Sequence, residues 1–287
     1  MENRWYRIFF VGLCLTILNS AEGTESVETE KPCVTARYIG RLGNNFFQIA
    51  AASSLAWDNG AEPYFSRYGG SGTIERVFFR CDLRQGDRKI DAEWWEPTYS
   101  YSPIRYSPNI RLGGYFQSEK YFAHNRERLL ELFAPHPDDM EYIIHNYSWI
   151  LDHPNAVGVQ VRYYKDEDYN GSMYIQYGRD YLEKAMALFP DSSLFVVSSN
   201  NLNYARNNMP LGKNIVFLEN ERDYIDLHIL SLCKHNIISN SSFGWWGAWL
   251  NKNPDKMVIY PTPLFGILPC QDYCPPEWIS VNAKSDN

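Results

Sequence analysis

Between residues 155 and 261, short apolar runs alternate with helical segments across very short connections, and no other feature constrains the fold as much. Residues 156–162, 194–197, 215–218, 236–239 and 257–260 read as strands. Residues 179–189, 202–209, 223–233 and 241–251 read as helices between them. Strands that each feed a helix need crossover connections, so the sheet they build is mostly parallel with helices on both faces. Residues 34–39 read as a strand and residues 46–57 as a helix, with Gly40-Arg41-Leu42-Gly43-Asn44-Asn45 as the turn between them, the opening unit of another open α/β sheet. That turn lacks both the G-x-G-x-x-G spacing and the Walker lysine, and its glycines also suit a tight turn without a ligand. Ligands of open α/β sheets gather at the carboxyl ends of their strands.

The stretch Ser239-Asn240-Ser241-Ser242-Phe243-Gly244-Trp245-Trp246-Gly247-Ala248-Trp249-Leu250 follows the apolar pair Ile237 and Ile238. It reads as strand, tight turn and helix N-terminus. Such a turn offers backbone N–H groups and hydroxyls to an anion such as a diphosphate, and the helix dipole adds to the attraction. Ser and Asn are also preferred N-cap residues, so a capped core helix with an aromatic face fits the same spacing.

Residues 62–111 are rich in Gly, Pro, Tyr and Ser and read as loops with short strand-like pieces such as 77–79, a placement typical of binding specificity. Ser118 reads as the N-cap of a helix over 119–133, and 138–151 as a further helix after Pro135 and Pro137. Residues 198–201 stand at a strand end, either in contact with a nucleotide or as a plain turn. The division expected is a targeting segment (1–23), a linker (24–33), an N-terminal α/β half (34–154), a C-terminal Rossmann-like half (155–265) and a tail (266–287).

Arg4 and Arg7 precede an apolar run over residues 8–18, and small or polar residues follow it up to Gly23. The run is shorter than the ~20 residues of a spanning helix, which favours a cleaved signal peptide over a signal anchor. Both readings carry the remaining chain out of the cytosol, to a secretory lumen such as the Golgi or, in a bacterium, to an exported or inner-membrane position, with membrane contact only through this segment. A net charge of −7 argues against nucleic acid as a partner. Of six cysteines, Cys14 lies in the targeting segment and Cys233 reads as a buried thiol. Cys33, Cys81, Cys270 and Cys274 could form two disulfides in an oxidising compartment, with three pairings open.

The ordered motifs Gly40-Arg41-Leu42-Gly43-Asn44-Asn45-Phe46-Phe47-Gln48, Gly114-Tyr115-Phe116-Gln117-Ser118-Glu119-Lys120-Tyr121-Phe122 and the run from Asp226 to Pro261 together resemble glycosyltransferase family 11, the α-1,2-fucosyltransferases. The resemblance spans residues 35–261, with a gap over 62–111. It implies a GT-B-like architecture of two Rossmann-type halves with mostly parallel sheets. It also implies GDP-β-L-fucose as donor, the 2-hydroxyl of a terminal galactoside glycan as acceptor, inversion at the anomeric carbon, and neither a metal nor any other cofactor. Leaving GDP is then stabilised by Arg, Lys and helix-terminal donors.

One motif departs from the family. Where its members carry His-x-Arg-Arg-Gly-Asp-Tyr, this chain has Gln160-Val161-Arg162-Tyr163-Tyr164-Lys165-Asp166. Arg162 keeps the first arginine, suited to a bidentate grip on the β-phosphate. Gln160 replaces the histidine, and Lys165 either replaces the lost charge or is a solvated loop residue. Asp166 is the nearest match to the family's aspartate and the candidate base, with Asp168 close behind. Around this pair the resemblance groups, as substrate-binding residues, Gly40, Arg41, Gly43, Asn44 and Asn45 from the first half, Gln160, Lys165, Ser198 and Asn200, and Ser239, Asn240, Ser241, Ser242 and Phe243. Glu219 and Asp223 are candidates for guanosine contact, and Asp226 for a cap or a surface pair. The altered motif keeps open a non-catalytic nucleotide-sugar or glycan-binding protein on the same fold, and residues 62–111 keep open a fucosyltransferase with a different acceptor.

Overall fold

The computed structural model of the protein describes residues 30–70, 72–84, 88–165, 173–268 and 270–283. The chain divides into residues 1–30 and one compact unit spanning residues 31–287. The targeting segment lies outside the described residues, and among the described ones no helix is long and apolar enough to cross a membrane.

The first half of the unit runs β1 (Cys33–Ala36), α1 (Leu42–Asp58), β2 (Glu62–Pro63), β3 (Phe65–Ser66), α2 (Ile74–Val77), β4 (Leu83–Arg84), β5 (Ala92–Trp95), β6 (Ile110–Gly113), α3 (Arg126–Leu132) and α4 (Pro137–Leu151). Its main sheet is parallel, in the order β2-β1-β6-β5, and β3 and β4 form a small parallel pair. The second half runs β7 (Ala156–Val161), α5 (Arg179–Met186), β8 (Leu194–Ser199), α6 (Leu202–Asn208), β9 (Asn214–Phe217), α7 (Asp223–Leu232), β10 (His235–Ile237), α8 (Ser242–Trp249), β11 (Val258–Thr262) and β12 (Ile279–Asn282). Its six strands are all parallel, in the order β12-β11-β10-β7-β8-β9. Numbered within this half, that is the doubly wound order, which reverses between β7 and β10 and opens a crevice there at the strands' carboxyl ends.

Several expectations change. Helix α1 begins at Leu42 instead of Phe46, so Gly43, Asn44 and Asn45 form its first turn. Residues 77–79 are not strand: Ile74 and Val77, three residues apart, bury one side of α2. The helix expected over 119–133 breaks into 3₁₀ turns at 119–121 and 123–125 followed by α3, because Phe122 takes φ −151° to bury its ring against Trp246. Ser118 does cap this segment, its hydroxyl accepting from Lys120 N–H. Residues 279–282, expected in a tail, complete the larger sheet as β12. Among the described residues the two disulfides are not seen: Cys81, Cys270 and Cys274 are free thiols. Cys233 is the buried thiol expected, and burial pushes it up to about 12.

Helix α8 is apolar on every side and correspondingly buried. Phe46 and Phe47 of α1 pack on Trp245 and Trp246, with Phe47 and Trp245 centroids 4.5 Å apart. Burying each such ring is worth about 1.5–3 kcal/mol, and here the same rings join an element of the first half to one of the second. The carboxyl end of α8 is anchored by Lys256, whose Nζ donates to the carbonyls of Ala248 and Asn251 at 2.8 and 2.9 Å. A cation there also suits the helix dipole.

Candidate active site

The crevice between β7 and β10 gathers the residues that follow those two strands. Arg162 leaves β7, and the turn 239–241 leaves β10 and enters α8. Gln160, inside β7, is buried, and its Oε1 accepts the Ser239 hydroxyl at 2.5 Å. Gly244 lies against Gln160 so closely that an added Cβ would stand 2.8 Å from Oε1. The guanidinium of Arg162 lies 5.1 Å over the Tyr164 ring, and the Tyr164 hydroxyl donates to the Asn240 carbonyl at 2.9 Å. Arg162 is thereby coupled through one side chain to the turn before α8. Asn240 is buried and donates from Nδ2 to the Ile175 carbonyl at 2.9 Å.

At the start of α8 the polarity is unspent. Ser241 is the N-cap, but no side chain caps this helix. Its first-turn N–H groups and the half-buried Ser241, Ser242 and Phe243 line the crevice end, where an anion is favoured. Gly43 of α1 meets this point. A Cβ on Gly43 would lie 2.6 Å from Phe243 N and 2.7 Å from the Ser242 carbonyl carbon. Helix α1 also has no side-chain cap, with Arg41 exposed at its N-cap. Two positive helix ends therefore converge, an arrangement that negative charge between them relieves.

Other candidates are committed to structure. The Oδ1 of Asn44 accepts from Gln117 Nε2 at 2.9 Å, beside Gly40, whose φ of +81° suits glycine. Buried Asn45 donates to Gln48 Oε1, and Gln48 in turn holds Ile39 and the Gly114 carbonyl. Asn200, expected on the nucleotide, instead locks the end of β8 to the loop after β7, binding both the N–H and the carbonyl of Tyr163 at 2.8 Å. Gln160 and Ser239 likewise face each other because the sheet interior gives them no solvent. Lys165 is exposed at the mouth of that loop. Asp166 and Asp168 lie outside the described residues.

One residue was undervalued by pattern reading. Asp226, in the first turn of α7, is mostly buried, and its Oδ2 accepts the Ser198 hydroxyl at 2.5 Å. Its Oδ1 is sealed from solvent with no partner among the described residues. Ser198 pairs with Gln160 in the β7–β8 register, which sets Asp226 beside the crevice. Burial pushes the Asp226 carboxyl up to about 7, Glu221 and Asp223 add to the rise, and the Ser198 hydroxyl opposes it. Helical spacing cannot distinguish this buried carboxylate from a surface one. A serine at the end of the neighbouring strand was the available signal.

The family model described as Glycosyl transferase family 11 matches residues 92–282. The chain belongs to glycosyltransferase family 11. Among its relatives is an Escherichia coli protein named alpha-1,2-colitosyltransferase, 28% identical over 86% of this chain and 98% of that protein. Another is rabbit (Oryctolagus cuniculus) galactoside alpha-(1,2)-fucosyltransferase 2, 26% identical over 87% of this chain and 77% of that one. In three dimensions the chain is similar to NodZ alpha-1,6-fucosyltransferase, solved after soaking with GDP-fucose, with a TM-score of 0.52, 15% identity, and coverage of 77% of this chain and 92% of that one. The GT-B-like, mostly parallel α/β fold expected of this glycosyltransferase family 11 member is the one observed.

Proposed function

We propose that this family 11 glycosyltransferase transfers L-fucose from GDP-β-L-fucose to the 2-hydroxyl of a terminal galactoside, with inversion and without a metal. The observation that carries the reading is the coupling of Arg162, through Tyr164, to the turn before the uncapped start of α8 at the reversal point of the doubly wound sheet. The names of the fucosyltransferase relatives support the sugar and the linkage. In this reading the α8 N–H groups and the Ser241 and Ser242 hydroxyls hold the diphosphate. Arg162 offsets the charge that develops on the leaving phosphate oxygen, a pre-positioned contact whose loss costs about 10²–10³ in turnover. Asp226 stands behind the site and holds the Ser198 hydroxyl beside the crevice. Asp166 accepts the proton of the attacking hydroxyl. The division at residue 155 separates an acceptor half from a donor half, and residues 1–23 carry both out of the cytosol.

The chain from Thr24 onward, incubated in EDTA with GDP-fucose and β-galactoside acceptors, is expected to yield product heavier by one deoxyhexose and cleavable by an α-1,2-specific fucosidase. Product that forms only with added divalent metal would overturn the metal-free mechanism. Product resistant to that fucosidase would overturn the linkage. GDP binding with no transfer to any acceptor would favour a binding protein on this fold. The colitosyltransferase relative motivates a second donor arm, since colitose is fucose without its 3-hydroxyl. Faster turnover with GDP-colitose would reassign the sugar while keeping the site.

A further inference from the structure

The donor reading leaves unused a set of aromatic side chains in residues 94–121. Tyr99 and Tyr115 stack with centroids 5.8 Å apart and planes 23° from parallel, and Tyr99 remains 37% exposed. The turn that carries Tyr115 is strained at Phe116, a bulky residue with φ +53°, and uses glycine for the φ of +151° at Gly114. Such a conformation persists only where its surroundings over-determine it. Here the mostly buried carboxylate of Glu96 does so. Its Oε2 accepts the N–H groups of Tyr115 and Phe116 at 2.8 and 2.9 Å, and its Oε1 accepts the Tyr121 hydroxyl at 3.2 Å. The loop bearing Tyr99 is pinned on its far side, where Tyr101 N–H donates to Asp272 and Ser102 N–H to the Tyr121 hydroxyl.

Burial raises the Tyr115 hydroxyl, and the nearby hydroxyls of Tyr99 and Tyr174 add to the rise. Tyr174 stacks on Tyr164 at 4.6 Å and 19°, and Tyr164 carries the Arg162 guanidinium over its ring. The loops of the first half thus present one stacked tyrosine pair, and the loop that carries Arg162 presents another.

We propose that Tyr99 and Tyr115 form the platform on which the acceptor sugar lies, and that Glu96 is the positioning residue that holds Tyr115 in it. The ligand class is a terminal hexopyranose of a glycan. The C–H face of a pyranose lies flat on an aromatic face, while its hydroxyls bond the phenol groups at the ring edges. The direction of transfer rests on the reading of Arg162 as the donor end, but the binding of sugar to the tyrosines does not.

The test separates the two. A glycan array, followed by saturation-transfer NMR with the best-bound oligosaccharide, reads sugar binding, and calorimetry with GDP reads the donor site. Tyr115→Ala and Tyr99→Ala are expected to weaken sugar binding about tenfold each, with GDP affinity unchanged. Tyr115→Phe keeps the stacking face and is expected to stay within about threefold of the unsubstituted chain. Glu96→Ala should raise the acceptor KM with little change in kcat. Glu96→Gln retains a carbonyl for both N–H groups and should restore it. Sugar affinity within twofold of normal in Tyr99→Ala and Tyr115→Ala would overturn the platform, as would a chain that retains no glycan on the array. Tyrosine variants that lose GDP and sugar together would also overturn it, since the platform predicts separable effects. Normal sugar effects in a chain that fails to bind GDP would leave the platform standing and remove the donor reading.

Discussion

The molecule contains two strand–turn–helix units that meet end to end, β1–α1 and β10–α8, and they use the same local grammar for different ends. In the first, the polar residues of the turn are spent on the protein itself. Asn44 is held by Gln117, and Asn45 and Gln48 tie the helix to Ile39 and Gly114. In the second, Ser239 and Asn240 are spent likewise, but Ser241, Ser242 and the α8 N–H groups are left facing the crevice. A glycine- or serine-rich turn before a helix is therefore part scaffold and part site. The split follows from which residues the neighbouring strand buries.

The sharpest way to break this comparison is Arg162→Ala. If the α8 turn is the working end, turnover falls about 10²–10³ with thermal stability nearly unchanged, read by initial rates and a melting curve. A near-normal rate would leave the two turns equivalent. Gly43→Ala attacks the point where the units touch. Its Cβ would stand 2.6 Å from backbone that cannot yield, so stability is expected to drop about 1–3 kcal/mol and GDP affinity to fall with it. Unaltered denaturation midpoints would show that the helices do not need that close approach.

Asp226→Asn removes the buried acid on which the Ser198 hydroxyl rests, and its effect is read from stability against pH. Because the folded carboxyl titrates at about 7, above its unfolded range near 4, it contributes stability at low pH that is lost as pH rises through about 7. Without ligand, the melting temperature should decline between pH 5 and 8 less steeply in Asp226→Asn than in the unsubstituted chain. The smallest effect is expected at the scaffold turn. Asn44→Ala should cost about 0.5–1.5 kcal/mol of stability with kcat within twofold, whereas Ser242→Ala should reduce kcat with little change in stability.

Much of this architecture was legible in the sequence. Strand β7 and helices α7 and α8 stand where periodicity puts them, because each is a local apolar pattern bounded by a local break. The loops before α3 were not legible. Residues 96–116 are held through Glu96, Asp272 and positive-φ turns, contacts that connect residues far apart in the chain and leave no periodic trace. The same reason hid Asp226. A carboxylate on an amphipathic helix reads as surface until the serine that covers it is found 28 positions earlier.

By itself, then, the sequence determined the alternation of strands and helices, the parallel sheets that alternation requires, and the arginine and serine turn that a phosphate site needs. Tertiary structure decided which polar groups of those motifs stay available. It turned Gln160 and Asn200 inward, left the start of α8 uncapped, and stacked Tyr174 on the ring that carries Arg162. The physical reason is that propensity and periodicity act over a few residues. The desolvation of a polar group depends on everything packed around it, wherever that comes from in the chain.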